Sequence, residues 1–402
     1  MALVYFILVA ANLIFGFLNK KNKIISFFSY FIIILLMSLN TKGPDVGNYL
    51  FDYNLNQNGQ VIIAETGYNF IRYFFSNTLR LDFFAFHLFL SLFCIFLLRS
   101  TVSYMHANEN CVIGLFMSYL FFIDTIQIRN FIIEAIFIYA VRFLFVNKKF
   151  STLKYIGCIL IAFLFHKIAL VYLVLLIVKF KSLKPLIKVI FSISVIAFIF
   201  FAISRSTLKN LIIFVTQLFG LKSSYSFTET RYSFIPIVLL YFAELFVIVY
   251  FKRHIAKEKF DSKENSFLSC LINVQMLLVA TLSLLLINMN FYRIIRNILF
   301  IKYIALAIYL NRLERNSALR IGLILFIVMS TLSWFVVDYV LINDFALITE
   351  PIFTGNLIFN NTINNKNYSV TFKLMFIIFF SILFTLNNNF STHNKVVKVW
   401  QK

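Results

Sequence analysis

Four segments set ionisable side chains in or beside apolar runs, where such groups are costly and are functional candidates for that reason. IQIRNFIIEAIF puts Arg129 at one end of a run, with Glu134 about five residues further in. FLFHKIAL puts His166 and Lys167 near the end of another. NMNFYRIIRNILF spaces Arg293 and Arg296 three apart, hence on one helical face. TRYSF sets Arg231 just before a further run. A planar guanidinium can hold a phosphate or diphosphate through two parallel hydrogen bonds without giving up its charge. An imidazole near neutral pH can take a proton from a hydroxyl or give one. Asp45, Asp52 and Glu65 add carboxylates in the polar stretch after the second apolar run. Plainer readings stand beside these. A single Arg can reach lipid headgroups or pair with a carboxylate such as Glu134, a lone helical His can simply pack, and GPD and VGN are turn signals in themselves.

The elements that must position these residues are membrane helices. The chain is 61% hydrophobic and 13% charged over 402 residues, far from the balance of a soluble domain. Apolar runs of roughly 15 to 22 residues recur throughout, near the ~20 that a bilayer core requires. The reading is an all-α polytopic membrane protein with about 13 transmembrane helices (roughly 11–14). They are expected near 2–18, 24–40, 83–99, 111–126, 127–146, 155–171, 171–180, 187–204, 234–251, 267–288, 291–310, 321–341 and 372–386. The short segment 171–180 suits half of a broken or re-entrant element. MALVYFILVAANLIFGFL lacks a basic leader and a small-residue cleavage site, so it is a first span. No repeat or Pro/Gly/Ser linker divides 1–402, which reads as a single integral membrane domain. Cys94, Cys111, Cys158 and Cys270 lie in or at the edge of apolar runs and read as small buried residues, with no metal site and no disulfide framework.

Basic residues orient the chain. KKNK, NKKFSTLK, KFKSLKPLIK, KRHIAKEKFDSK, NRLERNSALR and the tail HNKVVKVWQK fall in alternate connections and hold most of the 37 Lys and Arg. By the positive-inside rule these face the cytoplasm, with the N-terminus outside and the C-terminus cytoplasmic. The net charge of +21 is then a topology signal, with anionic lipid as its partner and no nucleic-acid role. The large outer loops are about 41–82, 205–233 and 342–371, rich in Asn, Tyr, Ser and Thr. Such a surface suits a neutral hydroxylated ligand such as a sugar. An AT-rich coding sequence would supply the same Asn and Tyr, as it would the 53 Phe. On the residues alone, a transporter and an enzyme both remain open.

GPDVGNY (43–49) resembles the G-x-D-x-x-x-Y motif in the first large outer loop of EpsG-family proteins. ETGYNFI (65–71) resembles their following E-x-G-F/Y segment, RNFIIEA (129–135) their R-Q-x-x-A-x-A helix start, and FHKIAL (165–170) their F-H-x-S-A-L. FYRIIRN (291–297) resembles a late Arg-containing helix entry, and order, spacing and membrane side agree. Val46 stands where an aromatic is usual, Asn130 where glutamine is, and Ile168 where serine is. The arginine before the glycine motif is absent, with Lys42 nearest.

EpsG-like proteins are similar to Wzy-type polymerases of bacterial surface polysaccharide. The resemblance implies a fold akin to the lipid-dependent GT-C-like glycosyltransferases, in the bacterial cytoplasmic membrane. It implies transfer of a growing glycan from undecaprenyl diphosphate onto a lipid-linked repeat unit on the outer face, with no cofactor and no metal. The flippase and chain-length regulator of the same pathway are the implied protein partners. Within that reading, Arg129, Arg293, Arg296 and Arg231 would hold the leaving diphosphate. His166, Asp45 or Glu65 would relieve the acceptor hydroxyl of its proton, and Tyr49 and Tyr68 would stack on sugar faces. The rivals are a flippase for the lipid-linked oligosaccharide, an O-antigen ligase and a membrane O-acyltransferase.

Overall fold

A computed structural model describes residues 2–57, 65–146, 148–218, 232–255, 259–315, 317–342 and 345–357. Arg231 and the expected span 372–386 lie outside these residues. Residues 1–356 form one compact unit, and 357–402 form a second that is almost wholly outside the described residues. Among the described residues there is no strand, only the isolated bridge Asn40–Asn356.

In chain order the helices are α1 (Ala2–Phe17), α2 (Lys23–Ser38), α3 (Val46–Gln57), α4 (Thr66–Tyr73), α5 (Phe83–Tyr104) and α6 (Glu109–Ser118). Then come α7 (Leu120–Ile126), α8 (Ile128–Phe145), α9 (Ser151–Phe165), α10 (Lys184–Ile203), α11 (Arg205–Leu218) and α12 (Phe234–His254). The last are α13 (Ser262–Leu278), α14 (Tyr292–Arg296), α15 (Leu299–Arg312), α16 (Ala318–Val336) and α17 (Phe345–Thr354). A 3-10 segment extends α13 to Leu286, and a π turn extends α16 to Ile342.

Among the described residues six stretches are long and apolar enough to cross a membrane: α5, α10, α12, Ser262–Leu286, Met289–Arg312 and Ala318–Ile342. The pair α6–α7, bent by 62° at Tyr119, makes a seventh. The expectation of about thirteen spans exceeds this for identifiable reasons. α1, α2 and α9 are 16, 16 and 15 residues long, and α8 carries Arg129, Glu134 and Arg142 within its 18 residues.

The weak segment 171–180 belongs to a different element. After α9 the chain turns at His166 and returns as a 3-10 helix, Lys167–Lys179. The Tyr155 hydroxyl donates to the Tyr172 carbonyl at 2.7 Å, and Lys179 Nζ donates to Ser151 Oγ at 2.7 Å. The two arms therefore run antiparallel, with His166 at the tip. A 3-10 rise of about 2.0 Å per residue lets these 13 residues reach about 26 Å, as far as a longer α-helix would.

The two ends of the bundle differ in character. At one end Asn108 donates to the Lys20 carbonyl (3.1 Å), Arg320 to that of Phe17 (2.7 Å) and Arg312 to Glu264 (2.7 Å). Lys263 donates to the Tyr104 carbonyl in the same neighbourhood. The connections rich in Lys and Arg thus meet on one face, and the segments around 41–57, 65–82, 127–129, 166 and 289–293 lie at the other ends of the same helices.

Buried ion pairs tie the interior together. Glu244 on α12 accepts from Lys302 Nζ (2.6 Å), Ser330 Oγ (2.7 Å) and Trp334 Nε1 (2.6 Å), so three donors satisfy one buried carboxylate. In a low-dielectric interior a charge is tolerated only when paired and hydrogen-bonded in this way.

Candidate functional site

Backbone chemistry sets up the site before any side chain does. Gly43 adopts φ +132°, a region that disfavours side chains, and turns the chain into α3. The Asp45 carbonyl accepts the Tyr49 N–H at 3.0 Å and so starts that helix. Glu65 sits at the N-cap of α4 in extended conformation, but its side chain makes no capping bond and is left to reach outward. Gly67, one turn on, packs so close to α9 that an added Cβ would lie 2.7 Å from Leu164 Cβ and 3.0 Å from its carbonyl oxygen. Two glycines of the sequence motifs thus have specific steric reasons. Gly47, with nothing within 4 Å of an added Cβ, has none.

Arg129 opens α8 immediately after the break at Gln127. Its Nη1 donates to Glu65 Oε2 at 2.7 Å, and its Nε donates to the Tyr49 hydroxyl at 3.4 Å. The guanidinium lies over the rings of Tyr49 (5.1 Å) and Tyr68 (5.8 Å), which are 6.0 Å apart. Burial raises the Tyr49 phenol above its ordinary range, with Arg129 opposing.

His166 approaches the same carboxylate from the hairpin tip. Its Nε2 is 4.0 Å from Glu65 Oε1, while its Nδ1 accepts the Ile168 N–H at 3.2 Å and caps the 3-10 arm. Burial lowers the imidazole pKa below its ordinary value. Glu65 opposes that shift, and Arg293, Arg129 and Lys167 reinforce it. Neutral imidazole is therefore the resting form near neutral pH.

Arg293, on α14, lies within electrostatic reach of Asp45, Tyr49 and Arg129. It is half-buried, and among the described residues it has no hydrogen bond or ion pair from its side chain. Three other arginines, Arg72, Arg129 and Arg296, are engaged. Arg72 pairs with Asp52 at 3.1 Å and Arg129 with Glu65. Arg296 donates to Gln127 Oε1 at 2.6 Å and lies 3.8 Å from Asp338 Oδ2.

Asp45, Tyr49, Glu65, Tyr68, Arg129, His166 and Arg293 are thus neighbours in space although they span most of the chain. Arg296 is not on the same surface. It is 2% exposed and faces the interior, where Asp338 also accepts from the Tyr119 hydroxyl at 2.8 Å. Glu134 does not meet Arg129 either. Five helical residues turn the side chain by about 140°, and Glu134 is buried beside Asp124 instead. Asp52–Arg72, Asp338 and the Glu244–Lys302 pair were not singled out in the sequence as partners. Asp338, Glu244 and Lys302 sit alone in their apolar runs, Asp52 and Arg72 lie in the polar stretch 41–82, and no local spacing shows which distant residue holds the counter-charge of each. An apolar cavity of about 450 Å³, lined by Tyr5, Phe6, Met117, Phe122, Phe335 and Phe353 among others, shares no lining residue with this cluster.

The arrangement offers cations for an anionic group, ring faces and hydroxyl-matching donors and acceptors. Among the described residues no group of three His, Cys, Asp or Glu side chains converges as a metal site would require. A family model described as the EpsG family matches residues 23–349. No curated protein and no solved structure matches the chain significantly.

Proposed function

We infer from membership of the EpsG family, to which this chain belongs, and from the chemistry of this cluster that the protein is a membrane glycosyltransferase. It lengthens a surface polysaccharide by moving a growing glycan from undecaprenyl diphosphate onto a lipid-linked repeat unit. The outer membrane face, the termini (N-terminus outside, C-terminus cytoplasmic) and further crossings by α1, α2, α8 and the 151–179 hairpin are part of this reading. So is a GT-C-like arrangement of the bundle.

The observation that carries it is Arg293. A half-buried guanidinium that makes no direct ion pair among the described residues, set beside an Arg129 already neutralised by Glu65, is prepared for an incoming anion. As the anomeric carbon–oxygen bond breaks, charge gathers on the departing diphosphate, and a fixed cation there lowers the barrier. Tyr49 and Tyr68 offer ring faces next to that point, and Asp45, Glu65 and His166 supply acceptors and a donor for sugar hydroxyls. Arg231 belongs to this proposal through its place in the sequence of the outer loop, and Arg296 through the positive charge it adds close to Arg293.

Deletion of the protein followed by sizing of the surface glycan tests the assignment. A polymerase mutant displays at most one repeat unit, and wild-type length would refute it. Lipid-linked repeat units that fail to cross the membrane would point to a flippase. Full-length polymer that lacks acyl groups would point to an acyltransferase, and free polymer not joined to its final acceptor would point to a ligase.

A further inference from the structure

The three groups able to manage an acceptor proton, His166, Glu65 and Asp45, are held in different ways. The Ile168 N–H donates to His166 Nδ1 at 3.2 Å, so that nitrogen presents its lone pair to the backbone. A neutral imidazole has one N–H, and here it must be on Nε2. Nε2 is the atom that faces outward, 4.0 Å from Glu65 Oε1. The face offered to a ligand is therefore a donor. Glu65 has its other oxygen already occupied by Arg129 at 2.7 Å, a charge-assisted bond. Asp45 is half-exposed, follows the Gly43 turn, and has no side-chain hydrogen bond or ion pair among the described residues.

We propose that Asp45 is the proton acceptor of the transfer step, and that His166 is a tautomer-locked hydrogen-bond donor that, with Glu65, holds an acceptor-sugar hydroxyl. This rests on the glycosyltransferase reading above. In the step, the acceptor oxygen bonds to the anomeric carbon while that carbon's bond to the diphosphate oxygen breaks. The bonding pair leaves with the lipid diphosphate, and the hydroxyl proton passes to an Asp45 oxygen. Arg293 and Tyr49 are the groups that face Asp45, and Glu65, Arg129, Arg293 and Lys167 are those that face His166. The 4.0 Å between Nε2 and Oε1 is too long for a direct bond but spans one non-reacting hydroxyl of the acceptor sugar that accepts from the first and donates to the second, which leaves the reacting hydroxyl's proton for Asp45.

The test uses full-length protein in vesicles, with lipid-diphosphate-linked repeat units extracted from the deletion strain as substrate. Asp45→Asn should lower the elongation rate by about 100-fold or more, the scale of a lost general base. Asp45→Glu should restore part of it. His166→Asn keeps an oxygen able to cap the 3-10 arm but cannot reach as Nε2 does. It should cost about ten-fold, the scale of one hydrogen bond, mainly in KM for the acceptor, with the acid limb of the pH–rate profile unchanged. If that limb vanishes in His166→Asn, or if folded Asp45→Asn elongates at the wild-type rate, the assignment is overturned. Absence of elongation by the wild-type protein would instead overturn the underlying function.

Discussion

Replacing Arg293 by glutamine separates catalysis from folding, because the structure gives this arginine nothing to hold up. Among the described residues it makes no ion pair, so its loss leaves no bonded carboxylate behind, and the change in unfolding free energy should stay within about 0.5 kcal/mol. Its loss should nevertheless lower the rate of glycan elongation by about 10²–10³-fold, or about 2.7–4 kcal/mol of transition-state stabilisation. Arg293→Lys retains the charge but not the planar fork and should fall between the two. Arg296→Gln is the internal control. Arg296 is 2% exposed, donates to Gln127 and lies 3.8 Å from Asp338, so removing this buried charge should change stability by about 3–5 kcal/mol. Elongation rates in vesicles and thermal unfolding in detergent read the two quantities on the same preparations. The reasoning fails if folded Arg293→Gln elongates normally, or if it unfolds as early as Arg296→Gln.

Three further outcomes follow from the packing and charge. Lys302→Met leaves Glu244 buried without its cation and should destabilise by about 3–5 kcal/mol; adding Glu244→Gln should recover part of this in thermal unfolding. Gly67→Ala forces α4 away from Leu164, should cost about 1–3 kcal/mol, and should slow elongation by parting Glu65 from His166. The depressed His166 pKa means that the unfolded chain binds the proton more readily. This contribution to stability is fully present above the ordinary imidazole pKa and lost as pH falls through the folded one. A denaturation series across that window should show the loss in the wild type and its absence in His166→Asn.

That the residues of this cluster should lie near one another was readable because a membrane simplifies the problem. A polar residue at the end of an apolar run can reach only one of two faces, so Asp45, Tyr49, Glu65, Tyr68, Arg129, His166 and Arg293 were assigned to one face from alternation and spacing alone. Gly43 and Gly67 became explicable only with the structure in place, Gly43 by its φ of +132° and Gly67 by its close approach to Leu164, while Gly47 stands in open space. Arg296 shows where the reasoning stops. A spacing of three puts it near Arg293, but one turn of helix separates surface from interior, and Asp338 lies far along the sequence. The expected span count goes beyond the six or seven long apolar stretches among the described residues for a related reason. Mean hydropathy cannot distinguish a membrane-crossing α-helix from a 3-10 return arm such as Lys167–Lys179, or from a helix of 15 or 16 residues.

Chain growth by the purified protein tests the central claim most directly. Vesicles containing only this protein and the repeat units accumulated by the deletion strain should yield a ladder of lipid-diphosphate-linked oligomers, released by mild acid and resolved by length. A ladder that extends with time, and is absent with Arg293→Gln, is the predicted result. Repeat units that remain single, or that only change membrane leaflet, would contradict the account.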